Sequence, residues 1–161
     1  MKPLTEDDIR SSFVNALPGD LDRLPIPGLH EMLWEEREFL GWRDSQAHLR
    51  GYIVVWMDDR PTGLVVRTAS TTLRPGIAAM CSLCHSPQPA TQVRLFTAPR
   101  AGEAGLNGNT LGTYICEDLA CSLLIRVAPP HLNPPERIAE RAAGLLARVQ
   151  NFTAGVMKTA G

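Results

Sequence analysis

The sequence predicts an α+β protein: a small antiparallel β-sheet built around four cysteines, with a short N-terminal helix and an amphipathic C-terminal helix. Two observations support this prediction. The cysteines form two close pairs, Cys81/Cys84 and Cys116/Cys121. Around them lie short segments rich in β-branched and aromatic residues, separated by Gly, Pro and Asp turns. A chain of 161 residues has the length of one domain, with room for small extensions.

The two cysteine pairs have the spacing of a metal site. The first is CxxC, the second is CxxxxC, and 31 residues lie between them. Each pair is short enough to bind one ion, and four thiolates complete a tetrahedral Zn²⁺ shell. We therefore predict a zinc site formed by Cys81, Cys84, Cys116 and Cys121. Because such a shell leaves no position for water or substrate, the metal is expected to be structural.

Other interpretations of these cysteines remain open at this point. The first residues show no charged and apolar leader, so we expect a cytoplasmic, reducing setting that disfavours disulfides. A redox CxxC usually opens a helix, whereas Pro87 and Pro89 follow this one closely. Unligated thiols are a third alternative. His85 or His131 is also a possible replacement for one sulfur.

The strands predicted around the cysteines give an ordered arrangement. Residues 52–68 contain two apolar segments joined by Asp-Asp-Arg-Pro-Thr-Gly, which predicts a hairpin. Further strands are predicted over 77–80, over 92–97 and at 114–115, and a helix over 122–127. The order strand, CxxC knuckle, hairpin, second cysteine pair and helix is that of a treble-clef zinc finger.

Helices are predicted in both flanks. Thr5 followed by Asp8 has the pattern of a capping box and predicts a helix over about 6–16. We accordingly divide the chain into an N-terminal helical extension (1–38), a zinc domain (39–128), and a C-terminal helix with its tail (129–161).

The C-terminal helix is predicted over about 135–152, with a capping box at Asn133 and Glu136 and an apolar stripe along one side. Residues 153–161 are expected to fray. Three arginines at helical spacing share one face, which we expect to be solvated: Arg137, Arg141 and Arg148.

The charge is unevenly distributed along the chain. Residues 1–59 carry 12 acids and 6 bases, a net −6, whereas residues 60–161 carry 5 acids and 10 bases, a net +5. A basic half of this kind suits RNA or an acidic protein surface as a partner. No apolar run approaches 18 residues, so no membrane association is expected.

Several motifs of the sequence together resemble those of a known protein family. They are Gly41-Trp42-x-Asp44, Tyr52–Val55, Gly63-Leu64, Cys81-x-x-Cys84, Val93-x-Leu95-Phe96, and Gly108-Asn109-Thr110-x-Gly112-Thr113-Tyr114-Ile115-Cys116-x-Asp118 with Cys121. Over residues 39–128 the chain resembles the C-terminal treble-clef domain of the elongation factor G-binding proteins, which include fusidic-acid resistance proteins.

The resemblance implies a partner and a role. Such a protein would bind elongation factor G and modulate its release from the ribosome, with the four cysteines as zinc ligands and Tyr114 facing the partner. Phe96 and Arg94 are added as candidate partner contacts, and a monomer is expected. The alternative is an RNA- or ribosome-binding zinc module that does not bind the factor, with Phe96 and Tyr114 stacking on bases. Because the histidines are scattered and Asp58-Asp59 suits a turn, we do not expect an enzyme.

Overall fold

The computed structural model describes residues 1–158. The strands are β1 (Leu40–Arg43), β2 (Arg50–Met57), β3 (Arg60–Thr68), β4 (Ala78–Met80), β5 (Pro87–Pro89), β6 (Val93–Pro99) and β7 (Thr110–Cys116). Five of them form an antiparallel sheet with the strand order β1-β2-β3-β6-β7, accompanied by a small β4-β5 hairpin. The α-helices are α1 (Glu6–Arg10), α2 (Glu103–Leu106), α3 (Cys121–Leu124) and α4 (Pro135–Met157). Short 3₁₀ turns occupy Leu29–Glu31, Trp34–Glu36 and Ala90–Gln92. The predicted α+β class is confirmed.

The central hairpin forms within the predicted residues 52–68, but its turn is shorter than the predicted six residues, because β3 begins at Arg60. Met57 pairs with Arg60, so Asp58 and Asp59 make a two-residue turn, with φ of 47° and 62°. Positive φ at both turn positions matches the right-handed twist of the two strands. Aspartate tolerates this conformation better than most residues other than glycine.

The N-terminal helix is shorter than predicted. The capping box of Thr5 and Asp8 is present, but the helix ends at Arg10 and not at residue 16. The chain then leaves the helix to pair with β3, where Phe13 forms a parallel bridge with Gly63. This edge of β3 is available because β6 pairs only with Arg67 and Thr68, the last two residues of β3. Backbone bonds to the sheet thus replace the missing helical turns.

Asn15 extends this connection between strands. Its side-chain amide donates to the carbonyls of Val65 and Pro99, both at 2.9 Å, and its oxygen accepts from the Val65 N–H at 2.8 Å. A single buried side chain therefore bridges the gap between β3 and β6. The arrangement satisfies backbone groups that would otherwise lack a partner.

The C-terminal helix is longer than predicted and is capped differently. It runs to Met157 and not to 152, because Val156 and Thr153 are fully buried against the sheet. The predicted capping box at Asn133 is wrong: the N-cap is Pro134, and the Asn133 amide instead donates to the carbonyl of Ile125 at 2.9 Å. Of the tail predicted to fray, residues 159–161 lie outside the described residues.

Both faces of the sheet are covered, which explains why β2 and β3 are apolar at consecutive positions. One face carries Tyr52, Val54 and Val65 beneath the N-terminal segment. The other face packs against α4 and the cysteine loops, and its buried members include Ile53, Val55, Leu64, Val66, Phe96, Ile115, Leu145, Val149, Phe152 and Val156. Both predicted extensions thus share a core with the sheet. The division of the chain at residues 38 and 128 stays a prediction.

None of the helices in the described part of the chain combines the length and the apolar character that crossing a bilayer requires.

Candidate metal centre

Two loops bring the four cysteines together. Cys81 and Cys84 follow β4, in the knuckle that the β4-β5 hairpin closes. Cys116 is the last residue of β7 and Cys121 is the first residue of α3. The turn between the latter two is fixed by Leu119, which has a φ of 58° and donates its N–H to the Cys116 carbonyl. Strand, knuckle, strand and helix thus occur in the predicted treble-clef order.

The sulfur atoms have the spacing of a tetrahedral site. The Sγ atoms of Cys81 and Cys121 lie 3.7 Å apart, those of Cys84 and Cys116 lie 3.6 Å apart, and all four lie within 4.8 Å of one another. A tetrahedron with Zn–S bonds of about 2.3 Å has edges of about 3.8 Å. A disulfide would need about 2.05 Å, so the thiols are not paired covalently. The four cysteines therefore bind zinc, as predicted.

Neither histidine belongs to this cluster. His85 and His131 are both exposed, and the group of ligand atoms in mutual reach consists of the four sulfurs. All four cysteines are buried, with exposed fractions of 0–2%. A closed shell of this type holds loops in place and offers no open position for substrate.

The charge of the four thiols depends on whether a cation is bound. A hydrogen bond with the Cys116 thiol lowers the pKa of Cys84, whereas hydrogen bonding to Cys116 and burial raise the pKa of Cys121. Without a metal the thiols therefore share protons, because four buried thiolates would repel one another. Zn²⁺ stabilises all four as thiolates.

Donors near the sulfurs offset part of the thiolate charge. The backbone N–H groups of Leu83 and Cys84 point at the Cys81 sulfur, at 3.4 and 3.5 Å. The Gln88 amide donates to the Cys116 sulfur at 3.3 Å. Sequence reasoning missed Gln88, since only the β4-β5 pairing brings it back over the site.

The arginine face of α4 is not solvated as predicted. Arg148 Nε donates to the Leu83 carbonyl inside the knuckle, and Arg141 Nη2 donates to the Ser86 hydroxyl at 2.6 Å. Arg137 is exposed, as expected. The prediction failed for two of three arginines because helical spacing shows which residues share a face, but not what that face meets.

Of the predicted partner contacts, Tyr114 lies on the surface. Its side chain is 41% exposed on β7, directly opposite Leu95 on β6, which is 45% exposed. The Tyr114 carbonyl accepts from the N–H of Ser82 at 2.8 Å, which joins the strand to the zinc knuckle. Tyr114 and Leu95, here called the β6-β7 patch, form an apolar pair beside the metal centre.

Phe96 and Arg94 are placed differently from the prediction. Phe96 is 0% exposed and packs in the core beneath α4, because it alternates with Leu95 across the sheet. The assignment of its ring to a partner surface is therefore corrected. Arg94 is largely buried and bonds within the chain, donating to the Ala69 carbonyl at 2.9 Å and lying 3.6 Å from the Glu117 carboxylate.

Fold and site together define a protein with a closed four-cysteine zinc centre of the treble-clef type. A sequence profile described as the FBP C-terminal treble-clef zinc-finger matches residues 8–156, and the chain belongs to this family. The match confirms the resemblance seen over 39–128 and extends it into both flanks.

A solved structure shares the fold. It is that of the fusidic acid resistance protein FusC, with a TM-score of 0.50 and 19% sequence identity over 79% of this chain. The alignment covers 52% of FusC, so this chain spans about half the length of that protein. Among curated proteins, no sequence gave a significant match.

Proposed function

We propose that this protein is a non-catalytic binding protein of the translation machinery, which binds elongation factor G and modulates its release from the ribosome. Family membership and the shared fold with a fusidic acid resistance protein support the proposal. The observation that carries it is the β6-β7 patch, an exposed apolar pair mounted on a rigid, zinc-anchored hairpin.

The geometry of the patch suits a protein partner. β6 and β7 are paired over seven positions, from Val93 with Cys116 to Pro99 with Thr110, so the patch is held in place before binding. A pre-ordered tyrosine supplies large contact area at low entropic cost, and such residues dominate interface energies. The patch therefore has the features of a binding hot spot.

RNA binding, the alternative, is less well supported by the contacts. Most arginines of the basic half donate to groups of the chain itself, among them Arg67, Arg94, Arg100, Arg126, Arg141 and Arg148. Phe96 is buried and unavailable for stacking on bases. A nucleic-acid surface would need free cations and exposed rings in one place.

Direct binding to purified elongation factor G tests the proposal. We expect Tyr114→Ala to weaken the affinity at least about 10-fold, the usual effect of removing a hot-spot side chain. Leu33→Ala, which truncates a 57%-exposed leucine in the N-terminal segment, serves as the matched control and should bind normally. Absence of binding by the zinc-loaded wild type at micromolar concentration would contradict the proposal. Salt-sensitive binding to ribosomal RNA in its place would support the alternative.

A further inference from the structure

The side chain of Arg148 connects helix α4 to the zinc knuckle. Arg148 donates from Nε to the carbonyl of Leu83, and Leu83 lies between the ligands Cys81 and Cys84. The N–H of the same residue points at the Cys81 sulfur at 3.4 Å. The peptide groups that shape the first ligand pair are thus held from the helix. Arg141, two helical turns earlier in α4, makes a similar contact with the knuckle: it donates to the Ser86 hydroxyl at 2.6 Å.

A glycine makes room for this arginine. Gly144 lies one turn before Arg148 inside α4, where glycine is unfavourable relative to alanine. A Cβ atom at this position would lie 2.9 and 3.0 Å from the two terminal nitrogens of the Arg148 guanidinium. These distances are too short for a carbon–nitrogen contact, so an alanine here would force the guanidinium to move.

We propose that Gly144 and Arg148 form a brace that positions the zinc knuckle, so that docking of α4 and binding of zinc strengthen each other. A zinc ion with four thiolates carries a net charge of −2, which a nearby guanidinium stabilises. The brace also fixes the Leu83 peptide in its ligand-bound geometry before the metal arrives. Arg148 is a positioning residue, since it acts through the backbone and does not touch the metal. The brace does not depend on which partner the protein binds.

The zinc dissociation constant of the full chain, measured by competition with a chromogenic chelator, tests the brace. We expect Arg148→Gln to raise it about 10-fold, the lower end of the effect of losing an outer-shell contact. The matched control is Arg137→Gln on the same helix, whose arginine is exposed and donates a hydrogen bond to the Leu132 carbonyl, at 3.3 Å. An equal dissociation constant for the two variants would overturn the proposal.

Gly144→Ala provides a second, independent variant. Alanine has the better helix propensity, so by that effect alone the substitution would raise the free energy of unfolding. Displacement of Arg148 instead predicts a higher zinc dissociation constant, which better helix propensity cannot explain. In an Arg148→Gln background the same glycine substitution should no longer weaken zinc binding. If Gly144→Ala leaves the dissociation constant of the otherwise unchanged chain within about twofold of wild type, the brace does not exist.

Amide hydrogen exchange of the zinc-loaded variants separates positioning from general destabilisation. Loss of the brace should accelerate exchange mainly in residues 81–86, while a merely structural role would accelerate it throughout α4 and the sheet. Gly144→Ala decides the question even if Arg148→Gln fails to fold. Uniform acceleration in Gly144→Ala would contradict the proposal.

Discussion

Asp44 and Tyr52 show how one buried polar pair is stabilised. The Tyr52 hydroxyl donates to the Asp44 carboxylate at 2.7 Å, and both residues are at most 5% exposed. The N–H groups of Gln46 and Ala47 donate to the other carboxylate oxygen, at 2.9 and 3.0 Å. The carboxylate is thus surrounded by donors, and its charge is compensated where water is excluded.

The ionisation of Tyr52 gives a prediction at high pH. Burial and the hydrogen bond to Asp44 raise the pKa of Tyr52 to about 12. A raised pKa means that this residue stabilises the fold below about pH 10 and that the contribution is lost as the pH rises through 12. In a Tyr114→Phe variant Tyr52 is the sole tyrosine, so ultraviolet titration should give a midpoint near 12. A midpoint near 10 would show that the ring is not held as described.

Asp44 gives the corresponding prediction at low pH. Burial opposes ionisation, but the hydrogen bonds from Tyr52, Gln46 and Ala47 prevail and lower the pKa of Asp44. Its contribution is therefore present above the unfolded pKa of about 3.9 and is lost as the pH falls through the lower folded value. Asp44→Asn should cost about 1–3 kcal/mol at pH 7, since the neutral amide cannot accept all three bonds equally. Chemical denaturation of both proteins between pH 3 and pH 7 should show this difference shrinking only at the acid end; a difference independent of pH would contradict it.

At the scale of elements, β3 and β6 pair directly at two positions, and beyond these the Asn15 side chain bridges the two strands. Asn15→Asp should destabilise the protein by about 2–4 kcal/mol, because a carboxylate cannot donate to the Val65 and Pro99 carbonyls and is buried among acceptors. Urea denaturation measures the loss. Asn151→Asp, an exposed position on α4, is the control and should lie within about 0.5 kcal/mol of wild type. Equal effects of the two substitutions would contradict the bridging role.

Elements whose cause is local could be predicted from the sequence, and others could not. The β2-β3 hairpin was predictable because strand propensity and turn residues agree at neighbouring positions. Helix α1 was predicted too long because its end depends on Gly63, about 50 residues away. Gly63 lies on the open edge of β3, and Phe13 pairs with it there. Only glycine permits this approach, since a Cβ at residue 63 would lie 2.5 Å from the Ser12 hydroxyl oxygen.

At the scale of the whole molecule, the N-terminal segment covers one face of the sheet and is joined to the zinc side. Glu38 accepts from Arg126, just after α3, at 2.7 and 3.1 Å, and the backbone N–H of Glu38 donates to Ser122. A fragment comprising residues 39–161 should therefore expose Tyr52 and Val54 and fail to unfold cooperatively. Thermal denaturation followed by circular dichroism measures this. A fragment that melts cooperatively within a few degrees of the full chain would show that the segment is dispensable.

The metal ligands were predictable, whereas their surroundings were not. Thiols in two close pairs have few uses other than metal binding, so composition and spacing sufficed for the four cysteines. The orientation of Phe96 and the contacts of Arg148 depend on the packing of α4 against the sheet, which no local pattern encodes. Long-range packing therefore accounts for both the misplaced aromatic and the missed brace.

The central claim is that one zinc ion holds the cysteine loops and, through them, the shared core. The most direct test is metal analysis of the purified protein, followed by circular dichroism during exhaustive dialysis against EDTA. We predict one zinc per chain and cooperative loss of structure on its removal, because the free energy of metal binding contributes to folding. A metal-free protein that keeps its spectrum and melting temperature would contradict the claim.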